Sequence, residues 1–348
     1  MGIKTVKFGG SSLADAAQFR RVGEIVRADS ARRYVIASAP GKRTPDDIKV
    51  TDMLYRCYEM ARAREDITDY FAKIAERYNA IIRDLGLNYD IAGELAYICD
   101  GINHHTGRDF AASRGEYLSS LILAKYLKYD FIDAESVIFF QENGSFDAEK
   151  TREELRKELK KHERAVIPGF YGVMPNGTIR TFSRGGSDIT GSIVAEAAEA
   201  ELYENWTDVS GCLMADPRIV ENPRPIRTVT YRELRELSYM GASVLHEEAI
   251  FPVRAAGIPI NIRNTNDADA PGTMIVAGTS EYDAKTVITG IAGKKGFSVI
   301  SVEKDLMNSE IGFARKMLDV LEDNGISFEH LPSGVDTMSV IVASGINA

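Results

Sequence analysis

Residues 3–8 alternate, are β-prone, and run directly into Gly9-Gly10-Ser11-Ser12. Beyond that turn, Phe19, Val22, Ile25 and Val26 recur at helical spacing. A strand, a glycine pair and a helix in this order point to an α/β chain whose ligands lie beyond the carboxyl ends of its strands. Adjacent glycines let backbone N–H groups approach an anion closely, with the positive end of the helix behind them. Lys7, at the strand's end, adds a positive charge on a long stem. Together these make a phosphate site; the plainer alternative is a tight turn with a surface lysine. The lysine precedes the glycines, so this is not the G-x-x-x-x-G-K-[ST] loop.

The same ligand edge gains further candidates downstream. Residues 33–39 form a second apolar strand ended by Pro40-Gly41, which brings Ser38, Gly41 and Thr44 toward Gly9 and Gly10. A solvated turn would read the same way locally. Residues 51–85 carry helical periodicity and no chemical signal. His104-His105 lies in a glycine-flanked stretch without a third ligand at metal spacing. Arg114-Gly115-Glu116 precedes or opens an apolar helix over residues 118–127. Glu116 near a helix start could complement the dipole or receive an ammonium group, and the local pattern favours the dipole. Residues 131–140 read as a strand region, and residues 151–161 as a charged, solvated helix.

After a hairpin through Pro175-Asn176-Gly177, the first motif is repeated as Ser183-Arg184-Gly185-Gly186-Ser187-Asp188, followed by helical spacing. Arg184 can grip a carboxylate in bidentate fashion. Asp188 could be a cap, but beside an arginine and two glycines it reads as a site residue. Thr207-Asp208 then ends a strand at the ligand edge, and Ala215-Asp216-Pro217-Arg218 forms an acidic turn. Strand-end carboxylates commonly hold Mg²⁺ or a nucleotide sugar, although Asp-Pro is also a frequent turn. Helices are expected over residues 232–240 and 243–256, and strands over 259–262 and 274–277.

At 348 residues the chain suggests two domains, and the polar, Gly-containing stretch 278–286 is the best linker. We expect one domain over residues 1–280 and a smaller βαββ unit over 285–348. A net charge of −9 disfavours nucleic acid and anionic membranes as partners. Three dispersed cysteines, no long apolar run and no leader pattern point to a soluble cytoplasmic protein.

Lys7-Phe8-Gly9-Gly10-Ser11-Ser12, Arg184-Gly185-Gly186-Ser187-Asp188 and Thr207-Asp208-Val209, with Asp216-Pro217-Arg218 behind them, resemble the aspartate kinases of the amino-acid kinase superfamily. The resemblance covers essentially the whole chain, and the set in this order is highly specific. It implies an αβα sandwich with a mainly parallel sheet, followed by the opening of an ACT-type regulatory module. It also implies ATP-dependent phosphorylation of the β-carboxylate of L-aspartate, with Mg²⁺ on the ATP oxygens and no metal site built by the protein.

Carried over, Lys7 would neutralise the transferring phosphoryl group, with Gly9, Gly10 and Ser11 around the phosphates. Glu116 would take the substrate ammonium, which outweighs the dipole reading, and Arg184 its α-carboxylate. Asp188 would orient Lys7 and the substrate. Ser38, Thr44 and Ser187 would lie on the substrate side, and Thr207, Asp208, Asp216 and Arg218 on the nucleotide side. Effector lysine or threonine would bind where two ACT modules meet, here near Met307, Ser309, Glu329 and Ser333, in a homodimer or higher homo-oligomer.

Two departures stand out. Many relatives have a lysine where this chain has Ser243, and only the start of the regulatory region lies within this sequence. Weak inhibition is therefore expected. A kinase acting on N-acetylglutamate, glutamate or UMP would share the fold without needing Glu116 or the tail. A non-catalytic sensor would have lost Lys7, Arg184 and Asp188.

Overall fold

The computed structural model describes residues 2–104, 106–183, 185–239, 245, 250–278 and 288–344. Arg184, Ser243, His105 and most of the expected linker lie outside them. The chain divides into two compact units, Met1–Ala292 and Gly293–Ala348.

In the first unit the elements run β1 (Lys4–Phe8), α1 (Ala16–Arg27), β2 (Arg32–Ala37), α2 (Val50–Arg62), α3 (Thr68–Asp84), α4 (Ala92–Asn103) and α5 (Arg108–Leu127). Next come β3 (Asp130–Phe131), α6 (Ala148–Leu159), β4 (Ala165–Pro168), β5 (Tyr171–Val173), β6 (Ile179–Thr181), α7 (Gly186–Ala197) and β7 (Leu202–Thr207). The unit continues through β8 (Thr228–Thr230), α8 (Tyr231–Tyr239), α9 (Phe251–Ala255), β9 (Ile260–Asn264) and β10 (Thr273–Val276). Eight strands form one sheet in the order β3-β4-β2-β1-β7-β9-β10-β8. Every neighbouring pair is parallel except β9 with β10.

Alternation along the strands explains the layering. Val35 and Ala37 of β2 join Val6, Phe8 and Trp206 in a core with residues of α1 to α5. Tyr34 and Ile36 point the other way, into a core with Tyr203, Ile260 and residues of α6 and α7. Strands apolar on both faces are what a helix-covered parallel sheet requires, and the result is an αβα sandwich. Lys7, between Val6 and Phe8, therefore falls on the α7 face.

Two sequence expectations are corrected. α5 starts at Arg108, so Glu116 sits in mid-helix and cannot complement a helix start. The helix is buried on nearly every side from Phe110 to Ala124, which erases the apolar stripe that would have marked its first turns. The strand region over residues 131–140 shrinks to Asp130–Phe131. There the Asp133 carboxylate accepts from the Glu135 backbone N–H at 3.2 Å and turns the chain into a short 3₁₀ segment.

The second unit comprises β11 (Phe297–Glu303), α10 (Phe313–Asp323), β12 (Phe328–His330) and β13 (Thr337–Ala343). Its antiparallel sheet has the order β11-β13-β12, and Leu321, Val340 and Val342 form its buried core. The βαββ succession matches an ACT-like unit. Among the described residues, no helix is long and apolar enough to cross a membrane.

Candidate active site

β1 is central in the sheet, with β2 on one side and β7 on the other, so three strand ends meet at its carboxyl terminus. In that register Lys7 lies beside Asn205 of β7. Lys7 is 8% exposed, and its ammonium pairs with the Asp188 carboxylate at 2.6 Å. Asp188 lies in the first turn of α7, where its carboxylate also accepts from Asn205 Nδ2 at 2.9 Å. α7 begins after Gly185, which is held at φ 61°, a conformation that suits glycine and starts the helix directly from the turn.

The glycine turn after β1 packs against the loop after β2. The Gly41 N–H donates to the Gly10 carbonyl at 2.7 Å. A Cβ on Gly10 would stand 2.9 Å from the Ala39 carbonyl oxygen, and one on Gly41 would stand 2.6 Å from the Gly10 carbonyl carbon. Gly9 meets no such crowding; its N–H donates to the Trp206 carbonyl at 3.0 Å, and a Cβ there would lie 3.5 Å from Lys7 Nζ. Ser11 falls in the 3₁₀ turn Gly10–Leu13, and the neighbouring Ser12 hydroxyl is 2.7 Å from that of Thr265. The backbone is therefore open beside the ammonium, where an anion would approach.

Ser38, directly after β2, is buried, and its N–H donates to the Phe8 carbonyl at 3.2 Å. Ser187 is buried against Gly169, where a Cβ would come within 2.6 Å of its hydroxyl. Glu116 reaches the same loop from α5, its carboxylate accepting from the Ala39 N–H. Its other oxygen, Oε2, is buried without a partner. Burial pushes the Glu116 carboxyl up to about 8, against the opposing pull of backbone N–H groups and Arg114. An unpaired buried carboxylate oxygen is costly, and a cationic ligand group would satisfy it.

Thr44 is exposed in the loop after Gly41. That loop is anchored by Arg77 of α3, buried, which donates to the carbonyls of Gly41 and of Ile48, the latter at 2.9 Å, and pairs with Asp47 at 3.3 Å. Thr207 and Asp208 close β7, with their side chains hydrogen-bonded to each other at 3.2 Å. Asp216 and Arg218 form an exposed ion pair at 2.7 Å, and the guanidinium holds the Asp216 carboxyl down to about 2. In the second unit, Met307 is buried and Ser309 exposed in one 3₁₀ turn; Glu329 lies on β12, and Ser333 bridges to Met338.

Asn205, Arg77 and Arg114 were not anticipated from sequence. Arg114 is buried with its guanidinium 4.9, 4.8 and 5.0 Å from the rings of Phe110, Tyr117 and Tyr171. An asparagine inside an otherwise buried strand of a parallel sheet was the available signal for Asn205. No cluster of three His, Cys, Asp or Glu residues able to hold a metal occurs among the described residues.

A helix-covered parallel sheet, two glycine turns at its ligand edge and a charge-paired lysine between them define an α/β phosphotransferase of the small-molecule kinase class. The model of the amino acid kinase family matches residues 3–264. Aspartokinase 3 of Bacillus subtilis (strain 168) is 41% identical, the match covering 99% of this chain and 78% of that protein. The crystal structure of Clostridium acetobutylicum aspartate kinase superposes with a TM-score of 0.90 at 54% identity, covering 99% of this chain and 78% of that one. The chain spans 60% of the chloroplastic aspartokinase 1 of Arabidopsis thaliana, with 29% identity. The chain belongs to the amino acid kinase family and, within it, to the aspartokinases.

Proposed function

We propose that this chain transfers the γ-phosphoryl group of ATP to the β-carboxylate of L-aspartate, giving 4-phospho-L-aspartate and ADP. The observation that carries this reading is the pairing of two unlike charged groups around one strand edge. Lys7 and the open glycine turn suit a phosphoryl group, and the buried Glu116 oxygen suits an ammonium. Lys7 neutralises charge on the equatorial oxygens as they pass between donor and acceptor, which is where phosphoryl transfer gains most from a protein. The acceptor carboxylate is ionised at neutral pH and needs no general base.

Gly9, Gly10 and Ser11 surround the phosphates, and Asp188 holds Lys7 in place. Glu116 takes the ammonium, Arg184 the α-carboxylate, and Ser38, Thr44 and Ser187 complete the substrate side. Thr207, Asp208, Asp216 and Arg218 line the nucleotide side. Mg²⁺ would ride on the ATP oxygens with few protein ligands of its own, as the ion does where substrate phosphates supply its ligands. Residues 1–280 make the catalytic domain and 285–348 a partial ACT-like module, through which lysine or threonine would act near Met307, Ser309, Glu329 and Ser333. We place the reaction in the cytoplasm and the chain in a homodimer or higher homo-oligomer. A coupled ADP-release assay with aspartate, glutamate, N-acetylglutamate and UMP side by side is the test. Turnover should require aspartate; turnover with another acceptor and none with aspartate would overturn the reading.

A further inference from the structure

Lys7 and Asp188 account for only two corners of the buried polar cluster; Asn205 is the third. It is 3% exposed, sits beside Lys7 across the β1–β7 pair, and lies on the face covered by α7. Its Nδ2 donates to Asp188 Oδ1 at 2.9 Å, the same oxygen that meets the Lys7 ammonium, while its Oδ1 lies 3.5 Å from Lys7 Nζ. The neighbouring position on β9 is Ile262, so no competing charge faces the amide from that strand. Only one amide orientation puts a donor on the carboxylate and an acceptor on the ammonium, so the two ions dictate it.

We propose that Asn205 is a positioning residue for phosphoryl transfer, its amide bridging Asp188 and Lys7 so that the ammonium is held at the carboxyl end of β1 and not drawn wholly onto the carboxylate. An ammonium has three N–H donors, and Asp188 and Asn205 occupy two directions. The third remains for a phosphoryl oxygen beside the open face of Gly9. A neutral amide does this without shifting the charge balance of the ion pair. An apolar side chain would leave Asp188 without its second donor, and a carboxylate would compete with phosphate for the ammonium.

This role rests on the kinase reading, so the test has an arm that does not depend on turnover. The wild-type chain, Asn205→Leu and Asn205→Asp are assayed for kcat and both KM values. Their lysines are also acylated with an amine-reactive ester at alkaline pH and quantified by mass spectrometry, with the exposed Lys125 as reference. In both variants kcat is expected to fall by about ten- to a hundred-fold with KM values near wild type and unchanged circular dichroism. Acylation of Lys7 should be faster in Asn205→Leu, where the ammonium loses an acceptor, and slower in Asn205→Asp, where it gains a negative neighbour. A merely structural role would loosen both variants and speed labelling in both. Wild-type kcat with wild-type labelling in a folded Asn205→Leu would overturn the proposal, as would labelling that moves the same way in both; if Leu does not fold, Asp alone decides. A wild-type chain inactive on aspartate would count against the kinase reading only, leaving opposed labelling shifts to decide for Asn205.

Discussion

Two residues carry opposite tasks at the site, and each makes a separate prediction. Lys7→Ala should keep the secondary structure, at some cost in stability because Asp188 loses its buried cation, yet lower kcat by roughly a hundred- to a thousand-fold, the usual cost of one lost charge contact of ~2.7–4 kcal/mol. A variant with normal circular dichroism and more than about a tenth of wild-type turnover would remove Lys7 from the reaction. Glu116 predicts a pH dependence. Burial raises its carboxyl from 4.5 to about 8, so in the absence of substrate the folded protein holds a proton there that the unfolded chain has released. That contribution to stability is full below the unfolded value and is lost as pH rises toward about 8. Thermal midpoints measured without aspartate should therefore decline over that window, and Glu116→Gln should flatten the decline. Binding an ammonium demands the ionised form, so the aspartate KM should rise as pH falls below about 8 in the wild type. Glu116→Gln should raise the aspartate KM far more than the ATP KM; equal effects on both would count against an ammonium contact.

At the scale of elements, the contact between the turn after β1 and the loop after β2 is the tightest backbone crossing at the site. Gly41→Ala would drive a methyl group to 2.6 Å from the Gly10 carbonyl carbon, and neither backbone can yield without shifting the phosphate turn. Overpacking of this kind typically costs about 1–3 kcal/mol, and a raised ATP KM should accompany the lower denaturation midpoint. An unchanged midpoint and ATP KM would show that the crossing relaxes freely. Both glycine turns, the sheet class and the βαββ tail were legible in the sequence, because glycine pairs and periodic apolar residues are local signals. Three features were not. The first turns of α5 lack a stripe because they are buried all round, Asn205 takes its meaning from a strand nearly two hundred residues away, and Arg77 is recruited by carbonyls of a loop that no pattern marks. For Glu116 the local reading favoured a dipole role at a helix start that does not exist, and the family resemblance is what turned the expectation toward an ammonium contact.

For the whole molecule, the two compact units differ in how much they bury. The first has an extensive core on each face of its sheet, whereas the second closes over Leu321, Val340 and Val342, and β11 is largely exposed from Ser298 to Ser301. Stability that tracks buried apolar surface predicts sub-global opening of the second unit first. Backbone amides of β13 should exchange with solvent well before those of β1 in native-state hydrogen exchange; equal protection would mean the small unit draws stability from elsewhere. The sheet order has a consequence for how the chain is made. β1 is synthesised before β2 and can pair early with it, but its other edge stays open until β7 has followed, about 170 residues after β2. At typical synthesis rates that interval is about 10–35 s, during which Lys7 has neither Asp188 nor Asn205 and an unpaired strand edge is available to the wrong partner. Lys7 is thus made long before the residues that enclose it, and chaperone protection of the nascent chain would matter most in that interval.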